Sequence, residues 1–297
     1  MNTELIRLAL GLRSTAQSLG MIGRDTGAFE RHGVDLHIVR EETAGPEGAR
    51  MLLEGECDAA EFGAVPVVQN AFEGKDPVIV LAAEQINALH VFGARGVIQP
   101  QDLIGRSVGV LTAAGQTGVS ARQMLARWQL DGQVELEELK SYPAIYAALR
   151  EGRIAAGVLS ADYGIAGSEA YGFSLLADLG RELGYQAPVL AVTRRTIAQR
   201  PQAVQRLVAA YVDAIARFKA DAEGVAPIIE RHLGFVDRAQ ALAIQRFYAP
   251  RFQAKPYPSE AAIQRIIDMF APQYPRCAPV TVAQVYDPSF LRQVCPQ

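Results

Sequence analysis

The feature that most constrains this chain is its regular alternation of short apolar runs with helical stretches, joined by turns of only a few residues. Residues 5–10 alternate as a strand, 20–32 carry helical spacing up to Gly33, and 34–39 (VDLHIV) form a second strand. Two strands separated by a helix run parallel, so this opening is a βαβ unit. The pattern then continues with a helix over 46–53 stopped at Gly55, a strand over 59–62 and a helix over 65–72. Residues 77–82 (PVIVLA) are apolar without a break, as in strands covered on both faces.

Around 93–100 turn residues interrupt the alternation, and we read a crossover into a second lobe. That lobe should hold a short element at 102–103, strands over 107–111, 134–138 and 155–159, and helices over 117–128, 143–150 and 165–171. A second crossover is expected near 176–185, followed by a strand over 187–192 that returns to the first sheet and a helix over 201–222. The expected division is therefore 1–92 plus 186–297 for the first lobe and 93–185 for the second. Two segments echo each other across it, LEGECDAAEFGAVPVVQNA (53–71) and REGRIAAGVLSADYGIAGSEA (150–170). The expected fold is α/β and two-lobed, each lobe an open, mainly parallel sheet flanked by helices, with a cleft between them. In such sheets ligands settle outside the carboxyl ends of the strands.

Composition narrows the function. Of the 297 residues 49% are hydrophobic and 21% charged, and the formal net charge is −3, as in an ordinary globular protein with a sizeable core. Basic residues are scattered, so no nucleic-acid partner is expected. Nor is direct membrane insertion, since no run of about 18 apolar residues occurs. The opening MNTELIRLALGLRS carries Glu4, Arg7 and Arg13 where a signal core would be apolar. As written the chain reads as cytoplasmic, and as periplasmic if it is a mature or truncated form. Cys57, Cys277 and Cys295 form no metal-binding spacing, so no metal and no cofactor are expected, and Cys277 and Cys295 are either a pair or two free thiols. The histidines at 32, 37, 90 and 232 stand in no triad context, and only His90 is placed near the crevice. No catalytic residue is assigned.

Binding candidates lie in the loops after the strands. In GVLTAAGQTGVSARQML (109–125) the small residues from Thr112 through Gly115 and Gln116 to Thr117 precede a helix, whose first-turn amides suit an anion; alternatively Thr112 or Thr117 caps that helix. The segment has neither a P-loop nor G-x-G-x-x-G. Residues 11–17 (GLRSTAQ) offer Arg13 as a carboxylate or sulfonate partner with Ser14 and Thr15 as hydroxyl donors, against a plain surface arginine. Residues 62–66 (FGAVP) and 160–163 (SADY) fall at the same edge, and Asp162 with Tyr163 would meet an amine or a ring, or cap a helix. Glu84, Gln85 and Asn87 are either ligand contacts or hinge hydrogen bonds.

Four stretches, GMIGRDTGAFERHGVDLHIV (20–39), LLEGECDAAEFGAVPVV (52–68), DLIGRSVGVLTAAGQTG (102–118) and ALREGRIAAGVLS (148–160), together resemble the type II periplasmic binding protein fold. Within it they resemble the substrate-binding proteins of nitrate, sulfonate and taurine type ABC importers and their thiamine-precursor relatives. The resemblance implies a small, anionic organic ligand clamped between lobes that close by a hinge, and an ABC permease as partner. It implies a lining of Arg13, Ser14, Thr15, Gly63, Ala64, Val65, Glu84, Thr112, Gly115, Gln116, Thr117 and Asp162. Enzymes share the scaffold. The thiamine pyrimidine synthase carries a cysteine-rich motif absent here, and the aromatic sulfinate desulfinases place a nucleophilic cysteine after the first strand, where this chain has Leu12, Arg13, Ser14 and Thr15. Decarboxylases of similar fold remain open. The expectation is a non-catalytic binding protein, with a lyase as the alternative.

Overall fold

The alternation resolves into ten strands in a computed structural model that describes residues 3–186 and 188–296. They are β1 (Glu4–Ala9), β2 (Val34–Arg40), β3 (Ala59–Phe62), β4 (Pro77–Leu81), β5 (Leu89–Gly93), β6 (Ser107–Val110), β7 (Glu135–Glu138), β8 (Ala156–Ser160), β9 (Ser174–Asp178) and β10 (Val189–Thr193). Tertiary contacts divide the chain into two units, one made of the residues up to Ile86 with those from Tyr185 onward, the other of Asn87–Gly184. The first break precedes the expected 92/93 position because β5 hydrogen-bonds to β8 and β9, which makes it part of the second sheet.

The first unit holds a five-stranded sheet in the order β2-β1-β3-β10-β4. β1 is parallel to β2 and β3, while β10 is antiparallel to both β3 and β4. The second unit repeats the plan as β7-β6-β8-β5-β9. Here β6 is parallel to β7 and β8, and β5 is the reversed strand against β8 and β9. Each sheet thus has four strands in one direction and one reversed strand between the third and fourth. That reversed strand is the first one made after the chain enters or re-enters the unit.

The buried strands β3, β4, β8 and β10 have every residue inside, which is why their sequences do not alternate and are apolar but for Glu61, Ser160 and Thr193. The long helix Pro201–Ala220 belongs to the first unit and buries Val204, Leu207, Val208, Tyr211, Ala214, Ile215 and Phe218, a stripe with helical period. Tyr211 packs edge-on against Phe29 with centroids 5.4 Å apart. In the second unit Tyr146 meets Tyr163 and Phe173 at 5.4 and 5.6 Å in T-shaped contacts.

Two expected elements differ. The helix over 20–32 is two short helices, Leu19–Asp25 and Ala28–Arg31, because Gly27 adopts φ 73° and breaks the ladder, and a 3-10 turn Thr15–Gln17 precedes them. The crossover expected over 176–185 instead contains β9 and the helix Leu179–Leu183. β9 is an edge strand with Leu175 57% exposed, so its residues lack the signature of a buried strand. Of the strand expected over 187–192, Ala187 lies outside the described residues. All three cysteines are free, and burial pushes the Cys57 thiol up to about 12. No described helix is long and apolar enough to cross a membrane.

Candidate functional site

The loops at the carboxyl ends of β1, β3 and β4 hold the candidates of the first unit. After β1, Ser14 is fully buried and its Oγ has no hydrogen-bond partner among the described residues, and Thr15 is buried beside it. Gln17 Oε1 accepts from the Leu12 amide at 3.1 Å and holds the loop closed. Arg13 is ion-paired with Glu42, and a Cβ at Gly234 would stand 3.4 Å from Arg13 Nη1. Gly234 ends the helix Ala222–Leu233, so the guanidinium also faces the negative end of that helix. Its charge is therefore engaged by the protein itself. His232 nearby is pushed down to about 4, by burial first and then by Arg13 and Arg24.

After β3, Gly63 and Ala64 lead into the helix Val65–Phe72, where Ala64 and Val65 are buried and only backbone groups are polar. After β4, Glu84 is 1% exposed and its Oε1 accepts from Arg251 Nε at 3.0 Å. The Glu84 carbonyl accepts from Gln186 Nε2 at 2.8 Å, and Gln186 Oε1 accepts from the Ser259 amide at 2.7 Å. This network ties both ends of the first unit's interrupted chain to one helix N-cap. Arg251, stacked 4.8 Å over Phe247, and Gln186 are contributions that the sequence reading missed.

In the second unit Thr112 Oγ1 accepts from the Gly115 amide and Thr117 Oγ1 from the Leu111 amide, each at 3.0 Å. Neither caps the helix Gln116–Arg127, whose N-cap Gly115 makes no side-chain capping bond. The hydroxyls brace the loop instead. Gly118 lets that loop approach, since a Cβ there would meet Ala113 Cα at 2.6 Å. Asp162 is fully buried and accepts from Ser160 Oγ at 2.7 Å, while Tyr163 is buried between Tyr142 and Tyr146 and has no free face to stack on a ring. His90 lies in β5, 7% exposed, with Nε2 3.9 Å from Asp178. No described group of His, Cys, Asp and Glu could hold a metal.

One residue at this edge went unnoticed in the sequence. Glu61 points from β3 into a niche of about 10 Å³ at the carboxyl end of the first sheet, bordered by Ala16, Leu19, Ala83, Pro188 and Tyr211. Its Oε1 accepts from the Gly20 amide at 2.8 Å, whereas Oε2 has no partner among the described residues. The Tyr211 hydroxyl stands beside it, near enough for each group to shift the other, without the geometry of a hydrogen bond. Burial pushes the carboxyl up to about 7, with Tyr211 and the Gly20 amide pulling the other way. The signal available in the sequence was an acid inside a four-residue buried run, AAEF, where charges are normally paired. Three further hollows lie at the opposite, amino ends of the strands, about 560 Å³ around Arg106 and Glu135 in the second unit, and about 390 Å³ around Arg24 and Val34 and about 210 Å³ around Arg7 and Thr193 in the first.

The profile of the NMT1-like family matches residues 2–230, most of both units. The chain belongs to the NMT1-like family. Among curated proteins none matches it. Solved structures with the same fold as this NMT1-like chain include a protein of Bordetella bronchiseptica RB50, with a TM-score of 0.82, 18% identity, and 98% of this chain and 97% of that one covered. The alkanesulfonate-binding protein SsuA of Xanthomonas axonopodis pv. citri, bound to MOPS, matches at a TM-score of 0.77 and 19% identity, over 97% and 99% of the two chains. The desulfurization enzyme DszB, in complex with biphenyl-2-sulfinic acid, matches at 0.64 and 18%, over 98% of each. Binding proteins and an enzyme thus share the NMT1-like chain's fold, and the choice between them rests on its own residues.

Proposed function

We propose that this protein binds a small organic acid, a sulfonate or carboxylate, at the loops that follow the strand carboxyl ends, and releases it unchanged. The observation that carries the reading is the loop 112–118. Its two threonine hydroxyls are spent on loop amides, and its N-cap residue Gly115 brings no side chain to the start of a twelve-residue helix, a setting that favours an anionic group. Ser14, with a buried unpartnered hydroxyl, supplies a second donor, and Arg13 a charge that is available once it exchanges Glu42 for ligand. Thr15 lies among the first unit's loops at this edge, and Gln116 and Asp162 among the second unit's. The alkanesulfonate-binding relative supports this ligand class. The desulfurization chemistry suggested by the other neighbour is disfavoured, since the loop after β1 has no thiol and burial holds the Cys57 thiol in its protonated form. In this reading the partner is an ABC permease and the place of action is the periplasm.

The test is a thermal-shift screen over alkanesulfonates, dicarboxylates, aromatic acids and pyrimidines, followed by calorimetry and mass spectrometry of the bound fraction. One class of acid should raise Tm, since saturation at about 100 Kd adds about 2.7 kcal/mol, and should be recovered unchanged after prolonged incubation. Recovery of a product would move the protein to the lyases. Full affinity in an Arg13→Ala variant would remove Arg13 from the site.

A further inference from the structure

Glu61 has an internal control. The register of the two sheets aligns β3 with β8, because Leu8 and Ala9 of β1 pair with Ala59 and Ala60 as Val108 and Gly109 of β6 pair with Ala156 and Gly157. The reversed strands agree, with Glu61 opposite Leu190 and Val158 opposite Val91. Val158 therefore occupies in the second unit the place of Glu61 in the first, and it is fully buried. The fold is satisfied by an apolar residue at this position. A carboxyl that is 4% exposed, with an unpartnered oxygen, is thus not a requirement of the architecture.

Local packing is arranged around that carboxyl. A Cβ at position 20 would lie 2.6 Å from Leu8 Cδ2, 3.1 Å from Tyr211 Oη and 3.2 Å from Glu61 Oε1, so Gly20 clears the space between the strand and the pair and lends its amide to one oxygen. The other oxygen and the Tyr211 hydroxyl are left as two unpartnered polar atoms on one niche. The niche has room for one water, and a primary ammonium head is of that size while a sulfonate is not. Among the described residues Leu8, Leu81, Val189 and Leu190 face the pair from the sheet, Gly20 faces it from the short helix, and Tyr211 is the titratable group beside it. Among the described residues no cation is recorded beside it.

We propose that Glu61 and Tyr211 form a subsite for a primary ammonium group, so that the ligand is an organic acid that also carries an amine. The proposal rests on the organic-acid reading above and names the ligand class within it. An ammonium would donate to Glu61 Oε2 and Tyr211 Oη, and it would compete with the proton that otherwise neutralises the carboxyl, so such ligands bind more tightly as pH rises from about 6 to about 8.

Matched probes test this: 2-aminoethanesulfonate against ethanesulfonate and β-alanine against propionate, by calorimetry with wild type, Glu61→Gln and Tyr211→Phe. The amino member of a pair should bind about tenfold or more tightly than its partner, and Glu61→Gln should abolish that preference while Tyr211→Phe reduces it. A preference that survives Glu61→Gln, or acids that bind equally well without the amine, would overturn the subsite and leave the organic-acid reading standing. The Glu61 carboxyl carbon signal, titrated with methylammonium chloride, reads the niche without any acid. A saturable fall in its titration midpoint supports the subsite even where no acid binds, an outcome that would sink the organic-acid reading alone. An unmoved midpoint overturns the subsite.

Discussion

The two units share a strand order, a reversed strand and a register, yet their equivalent third strands read AAEF in β3 and AGVL at the matching positions of β8. Where the second unit places Val158 among apolar neighbours, the first places Glu61 with one amide, one phenol and a water-sized niche. The difference teaches that architecture and recognition can be separated by comparing a fold with its own repeat. What both units keep, the glycine turns at Gly55 and Gly152 and the small residues at 59–60 and 156–157, serves the sheet. What only one keeps is a candidate for function.

Exchanging the differing residues should break the comparison most severely in one direction. Val158→Glu buries a carboxyl with no prepared amide or cavity, and should cost about 3–5 kcal/mol in urea unfolding at about pH 8. Glu61→Leu, the converse, should lose no stability at that pH, because it removes a desolvated charge. Equal losses from both would mean that the carboxyl is part of the first unit's architecture.

Titration sharpens the contrast with smaller effects. Folding raises the Glu61 carboxyl from the ordinary 4.5 to about 7, so the native state holds its proton longer than the unfolded chain. Its contribution, about 3 kcal/mol at about 1.4 per unit, is complete below 4.5 and is lost as pH rises toward 7. His232 acts oppositely. Its imidazole falls from 6.5 to about 4, so its contribution is complete above 6.5 and is lost as pH falls toward 4. The two slopes cross in wild type, and stability measured against pH in Glu61→Gln and in His232→Gln should separate them: the first variant loses the fall with rising pH, the second the fall with decreasing pH. A Glu61→Gln profile parallel to wild type would show a carboxyl with an ordinary titration.

Much of this fold is legible in sequence where burial is uniform. β3 and the helix Val65–Phe72 fall where the apolar run and Pro66 place them, and the echo between 53–71 and 150–170 anticipates the shared topology. Legibility fails where exposure or a distant partner decides. β9 is hidden because an edge strand need not be apolar, and the split of the first helix depends on one left-handed glycine at position 27. The candidate site is harder still. Arg13 reads as a free cation until Glu42 is seen beside it, and Glu84 gains its meaning from Arg251, 167 residues away. Glu61 reads as one more residue of an alanine-rich strand until Gly20 and Tyr211 close around it.

The central claim is that ligand is held at the carboxyl ends of the strands, although hollows of about 560 and 210 Å³ lie at the amino ends. Amide chemical-shift mapping with the acid that raises Tm most is the most direct test. Perturbations should concentrate in residues 11–17, 61–65, 82–85, 112–118 and 160–163. Perturbations concentrated instead at 105–107, 132–135 and 152–155, or at 55–58 and 193–200, would contradict the account.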